Sequence, residues 1–261
     1  MEITSTTNFL RLVTSGMTNS KNSFSGLWVA LSIIGIWAFS LILLLTIDVS
    51  GVNNLLLIPF IALQTFLYTG LFITAHDAMH GAIFPANIKI NNFIGSLAVT
   101  LYALFDYNKL VKTHWLHHHH PASDLDPDFH DLKHKNFFAW YLYFMFRYWS
   151  WTRIISLMAL YNLIAFTLPV SEKNLTLFWV IPSILSSVQL FYFGTFIPHK
   201  EPEGGYTNIH RAQTNPLPVL LSFITCYHFG YHQEHHENPE IPWWGLPKVF
   251  KMNRQPVNNY Q

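Results

Sequence analysis

Cysteine is nearly missing from this chain. Cys226 stands alone, which rules out an internal disulfide and any thiolate cage around a metal. Charge is scarce as well: 11% of residues are Asp, Glu, Lys or Arg against 51% hydrophobic, and the mean hydropathy is positive. That balance does not suit an ordinary soluble domain and suits a membrane protein with a modest polar part. The net charge of +1 supplies no basic stripe for neutralising phosphates, so nucleic acid binding is not expected. No flavin or nicotinamide fingerprint appears, and no EXXH motif of the soluble ferritin-like di-iron proteins. Residues 1–26 lack a short apolar core followed by a cleavage site, so they read as a polar N-terminal tail rather than a signal peptide.

What the chain does have is long apolar runs and clustered histidine. Leu27–Ile47 and Leu55–Ala75 are uncharged, and each is long enough for the ~20 residues that a membrane crossing needs. Leu175–Pro198 is a third such run, and Ile154–Pro169 becomes a fourth span if Trp151–Arg153 lie at the boundary. Phe93–Phe105 is too short to cross and reads as a re-entrant or interfacial helix. The aromatic stretch Phe137–Trp151, around Arg147, reads as a helix at headgroup level. Leu217–Tyr231 is an apolar run leading into the last histidine cluster. Glu237–Gln261 is polar and reads as a cap on the soluble face.

The fold class expected is therefore all-α: a multi-pass membrane protein of four transmembrane helices with a cytoplasmic helical cap. Its main domain would cover 27–247, between tails 1–26 and 248–261. With spans at 27–47, 55–75, about 152–169 and 175–198, all Lys and Arg except Lys173 fall on one side. The positive-inside rule makes that side cytoplasmic. It also carries both termini and all the clustered histidines.

Those histidines form three sets: His76 and His80; His114, His117 and His118; His232, His235 and His236. Residues three and four apart share a helix face, so each set aims its imidazoles in one direction. Neutral imidazole suits iron, zinc, copper and nickel. Two irons with about four or five donors each require about eight to ten ligands. The three sets give eight, and His199, at the end of an apolar run, is the natural ninth. His228 lies one helical turn before His232 and is either a further ligand or channel lining. Asp77, Asp124, Asp126, Glu234 and Glu237 are candidates for orienting the ligands. His119, His120, His130, His134 and His210 read as surface or hydrogen-bonding residues.

HXXXH, HXXHH and HXXHH in that order resemble the pattern of the membrane fatty acid desaturase and hydroxylase superfamily. Longer segments resemble the bacterial β-carotene ketolases: FLYTGLFITAHDAMHG, HWLHHHHPASDLDPDF, SSVQLFYFGTFIPHK, EGGYTN, TCYHFGYHQEHHENP and PWWGLP. One departure is Ala122, where related ketolases often read HPG. The resemblance covers roughly Leu27 to Pro247. It implies a non-haem di-iron (Fe) oxygenase using O2 as co-substrate, with the eight clustered histidines as ligands and His199 matching a histidine after a later span. It further implies conversion of β-carotene to echinenone and canthaxanthin by two oxidations at C4 of each ring and loss of water. Electrons would come from outside, from an acidic donor such as ferredoxin; Lys109, Lys112, Lys133 and Lys135 either offer it a basic surface or serve as positive-inside anchors. Two rivals within the chemistry are a carotenoid hydroxylase and a lipid desaturase. A rival of another class is a histidine-rich metal transporter, whose ligands would lie near the bilayer midplane.

Overall fold

The computed structural model describes residues 24–254, and among them every regular element is helical. The tail expected over 1–26 therefore lies almost wholly outside the described residues, as do 255–261. The first helix, α1, spans Ser25–Thr46, and α2 spans Asn54–Met79, started by the Asn53 side chain accepting from the Leu55 N–H. Both are apolar throughout, but they bury different amounts of themselves. On α1 the large side chains Trp28, Phe39 and Ile42 stay exposed, as lipid-facing groups do. From Leu67 onward nearly all of α2 is buried, because it packs against α1, the next helix and the last long one. It is the central post of the bundle.

Helix α3 (Ile88–Ala103) meets α4 (Tyr107–His119) at a bend of 99°. Leu104 makes the corner in the left-handed region at φ 54°, and the Asp106 side chain caps α4 by accepting from the Lys109 N–H. The short apolar run read as a re-entrant or interfacial helix is thus the far end of α3, turned at the corner. Buried Asn91 anchors it: its amide donates to the Ala78 carbonyl at 2.7 Å, and its oxygen accepts the N–H groups of Ile83 and Phe84. Both sides of the α2–α3 turn are pinned by this one side chain.

Two shorter helices follow, α5 (Phe137–Arg147) and α6 (Trp151–Thr167). Helix α7 runs over Glu172–His199 and contains two π-helical turns, Thr176–Val180 and Tyr192–Phe196. Each precedes a proline, Pro182 or Pro198. Proline offers no N–H and clashes with the carbonyl four residues back, and widening the turn accommodates both faults. At the other end of α7, the Asn174 amide donates to the carbonyls of Leu44 and Ile47, and Lys173 donates to that of Val49. These bonds satisfy the open C-terminal end of α1.

Among the described residues three helices, α1, α2 and α7, are long and apolar enough to cross a membrane, while α6 is apolar but shorter, and α3 and α4 pass that test only as a bent pair. The apolar run 217–231 is not one helix. Helix α8 covers only Val219–Cys226, and Tyr227 and His228 then both take positive φ, at 48° and 62°. The chain turns before α9 (His232–Glu237) begins. A short turn at Trp243–Gly245 and α10 (Leu246–Asn253) complete the described chain. Helix α10 carries regular structure past residue 247, into the segment read as a polar tail.

Candidate metal centre

Four segments bring the histidines together. His76 and His80 close α2, His114, His117 and His118 lie on the last turns of α4, His199 ends α7, and His232, His235 and His236 occupy α9. Three of these are helix C-termini, where unpaired carbonyls concentrate roughly half an elementary negative charge. Their convergence favours cations.

The rings sort into two groups. Ligand atoms of His76, His80, His114, His118 and His235 lie within 4.8 Å of one another, and so do those of His117, His199, His232 and His236. The expectation that each sequence cluster aims in one direction holds for His76 and His80 but not for the two HXXHH sets. Residues four apart stay together: His114 with His118, and His232 with His236. The adjacent residue in each set turns to the other group, His117 to one and His235 to the other. At about 100° per residue a neighbour on the helix looks elsewhere. Each HXXHH thereby serves two centres at once.

The geometry fits metal ions. His80 and His114 approach through Nε2 atoms at 2.8 Å, His118 and His235 at 3.1 Å, and His117 and His236 at 3.2 Å. Imidazole nitrogens bound at ~2.0–2.1 Å to one ion sit about 3 Å apart. On the outer side, His117 Nδ1 donates to both oxygens of Asp126 (2.9 and 3.0 Å), His199 Nδ1 to the Arg211 carbonyl (3.0 Å) and His76 Nδ1 to Asp77 (3.3 Å). With the proton fixed on Nδ1, each Nε2 lone pair faces inward. Among the described residues, Nε2 of His76 and of His199 has no hydrogen-bond partner although buried. Such an orphan is costly unless an ion takes it up. Burial, and then the neighbouring rings, hold His232, His235 and His236 well below the usual histidine range. They are neutral, as ligands must be.

The acids expected to orient ligands divide. Asp77 holds His76 on one side and accepts the Trp243 N–H on the other (2.9 Å). Asp126 is buried beneath His117 and also accepts the N–H groups of Ala122 and Asp128. Burial opposes its ionisation, but the His117 ring and the Asp128 N–H hold it below the usual carboxylate range. Asp124 does not join them. Two residues before Asp126, it is exposed, while Asp128, two residues after, faces the site. Asp128 lies 4.0 Å from His117 Nδ1 and accepts the Tyr148 hydroxyl. Burial, and the nearby Asp126 carboxylate, push Asp128 up to about 6. Sequence reasoning missed its position, although the repeat Asp124, Asp126, Asp128 put it in view. Glu234 is buried but takes the Thr214 hydroxyl rather than a ligand, and exposed Glu237 bonds Gln233 and Asn253.

His228 stands apart from both groups. The left-handed turn swings its ring away from His232 and against Tyr231, Phe223 and Trp243. It does not line the cavity described next. His119, His120 and His134 are exposed, and His130 packs on Phe129 and Trp140. His210 reaches His236 only at a ring separation of 6.0 Å.

A cavity of roughly 440 Å³ opens beside the two groups, walled by α2, α3, α4, α5, α6 and α7. His76 and His114 of one group and His117 and His232 of the other form part of its lining, with Tyr102, Phe105, Leu157 and Phe229 among its apolar walls. Its volume lies within the ~300–1,000 Å³ of small-molecule sites. The second π turn of α7 places Gly194 against Phe229, whose ring packs on His76 at 4.8 Å and His232 at 5.0 Å.

The sequence profile of the fatty acid desaturase family matches residues 53–168 and 145–260. Zeaxanthin 4-ketolase of Chlamydomonas reinhardtii is 40% identical over 232 residues, covering 87% of this chain and 52% of that protein. This chain thus spans about half the length of that relative. Beta-carotene ketolase of Paracoccus sp. (strain PC1) is 36% identical over 225 residues, 86% of this chain and 88% of its own. Beta-carotene 4-ketolase 3 of Haematococcus lacustris is 39% identical over 260 residues, 87% and 79% of the two chains. No solved structure matches.

Proposed function

The chain belongs to the fatty acid desaturase family, and we propose that it is a β-carotene 4-ketolase, an O2-dependent oxygenase that yields echinenone and then canthaxanthin. The observation that carries this reading is the shared wall: one apolar cavity touches histidines of both metal-fitting groups. Its ketolase relatives point the same way.

On this reading His76, His80, His114, His118 and His235 hold one iron, and His117, His199, His232 and His236 hold the other. When bound, the pair supplies O2 activation for oxidising a C–H bond. The chain supplies everything else. Asp77, Asp126 and the Arg211 carbonyl fix the tautomer and tilt of His76, His117 and His199. Tyr102, Phe105, Leu157 and Phe229 hold an apolar ring with water excluded, so that its allylic C4 faces the histidine wall. Asp128 and Tyr148 place one polar contact in that lining. Two successive hydroxylations at C4 give a geminal diol, which loses water to leave the ketone.

The membrane arrangement follows the same reading. α1, α2, α6 and α7 form four spans, with the histidines, the cap and both termini on the cytoplasmic side, because the Lys and Arg residues gather there. A polyene dissolved in the bilayer enters sideways between α6 and α7, past Leu157 and Ile184. Electrons arrive from a separate donor, for which ferredoxin is the candidate.

The test is expression in β-carotene-accumulating cells with pigment chromatography. Echinenone and canthaxanthin are the expected products. Hydroxylated pigment without ketone would overturn ketolation, and metal uptake with untouched carotene would favour a transporter.

A further inference from the structure

The cavity reaches the histidine groups from one side only. His80, His118 and His235 do not line it. On their side lies Trp115, partly exposed on α4, with its ring centroid 5.0 Å from that of His80 and 5.7 Å from that of His118. Its indole N–H donates to the Met79 carbonyl at 3.3 Å, and its ring stacks on that of exposed His119 at 5.6 Å. Trp115 therefore joins the solvent-facing side of α4 to His80 and His118, the side of that histidine group which the cavity does not reach.

The exposed face of α4 is a stripe at helical spacing: Lys109, Lys112, Leu116 and His119. The helix contains no acidic residue, and among the described residues neither lysine forms a salt bridge. Leu116 is 42% exposed. Two unpaired cations around one apolar side chain make a face complementary to a partner of opposite charge. The oxygenase reading demands such a partner. Each hydroxylation puts one oxygen atom of O2 into the substrate and releases the other as water, consuming two electrons and two protons.

We propose that the outer face of α4 is the docking surface for an acidic one-electron carrier protein, and that Trp115 is the positioning residue through which its electrons pass inward beside His80 and His118. This inference rests on the oxygenase reading. The carrier docks twice per hydroxylation and loses one electron each time, while protons come from water. Substrate and reductant thus approach from opposite sides and do not compete for space.

The experiment uses the full chain, iron-loaded, in nanodiscs of neutral phosphatidylcholine, with an acidic [2Fe–2S] ferredoxin as probe and no carotenoid present. Binding and the anaerobic oxidation of pre-reduced ferredoxin are measured separately, the rate being expressed per bound iron. Lys109→Glu with Lys112→Glu is expected to raise Kd about tenfold at low salt, a difference that fades at high salt. Trp115→Leu is expected to leave Kd unchanged and slow ferredoxin oxidation about tenfold or more, with Trp115→Phe recovering part of the rate. The charge-matched pair Lys248→Glu and Lys251→Glu, on α10, is the control and keeps wild-type Kd. Unchanged binding in the α4 pair, an equal loss in the α10 pair, or a wild-type rate in Trp115→Leu overturns the proposal. A slowed rate in His210→Leu instead of Trp115→Leu moves the entry to the other group. A loss seen only in discs of anionic lipid assigns the lysines to lipid headgroups. Because no carotenoid is used, failure of docking and failure of ketone formation are separate results.

Discussion

His117 Nδ1 sits within hydrogen-bond distance of both carboxylate oxygens of Asp126, at 2.9 and 3.0 Å, with both groups buried. Each of those oxygens also accepts one backbone N–H, from Asp128 or Ala122. Asp126 therefore sets the angle of His117 and the shape of the loop after α4 together. Replacing it with asparagine turns one oxygen into an NH2 group, and one of the three donors then faces another donor. Asp126→Asn is expected to lower iron affinity about 10–100-fold, with ketone yield falling in step. Iron titration of purified protein checks this, and unaltered affinity would remove Asp126 from that role.

His199 and His228 separate cleanly by position. The first points an unpartnered buried Nε2 into one histidine group, and the second is stacked among aromatic rings outside both groups. Asparagine suits both sites for a fair comparison, since it tolerates the positive φ of His228. His199→Asn is expected to abolish ketone formation while the protein remains inserted. His228→Asn is expected to keep iron and most of the activity. Pigment analysis and metal content of membrane fractions decide between them.

Gly194 has no room for a side chain. A Cβ there would stand 2.1 Å from Phe229 Cε1, and Phe229 is the ring that packs on His76 and His232. Gly194→Ala is expected to cost about 1–3 kcal/mol through overpacking and to reduce turnover by tilting those two histidines. Phe229→Ala in the same chain should recover part of the lost stability. A double-mutant cycle on thermal unfolding in detergent measures the coupling. Simple additivity of the two changes would show that the contact is not the cause.

Leu157 lines the cavity from α6, a helix that carries none of the clustered histidines. Filling that space with Leu157→Trp is expected to cut ketone yield severely while iron content stays at the wild-type level. Full conversion by this variant would move the substrate path away from α6.

Asn91 is fully buried, and its single amide serves three backbone groups. Asn91→Ala leaves the Ile83 and Phe84 N–H groups without partners, each worth about 1–3 kcal/mol, while the Ala78 carbonyl keeps the Gly81 N–H. Thermal unfolding is expected well below wild type, and His80 should loosen with the α2–α3 turn. Retention of the wild-type midpoint would show that water replaces the amide.

Parts of this were legible in the chain alone. Apolar length places α1, α2 and α7, because a membrane crossing is set by residue count and little else. The spacing of histidines at three and four marks His76, His80, His114, His117, His118, His232, His235 and His236 as a set, because helical periodicity is local. What periodicity does not contain is direction relative to other helices. Hence it assigned each HXXHH to one target, read His228 as part of a continuing helix and preferred Asp124 to Asp128. The step of about 100° between helix neighbours, the left-handed turn at Tyr227–His228 and the loop through Asp126 set those directions instead.

The amino-acid order by itself determined the solvent this protein is built for and the kind of atoms it can offer a metal: nitrogen, not sulfur, since there is a single thiol and imidazoles abound. The tertiary structure alone decided how those nitrogens are shared out. The split into five and four, the acids that hold the rings and the cavity between α6 and α7 all depend on contacts between segments far apart in sequence. No local pattern encodes such contacts, because they arise only when the helices pack.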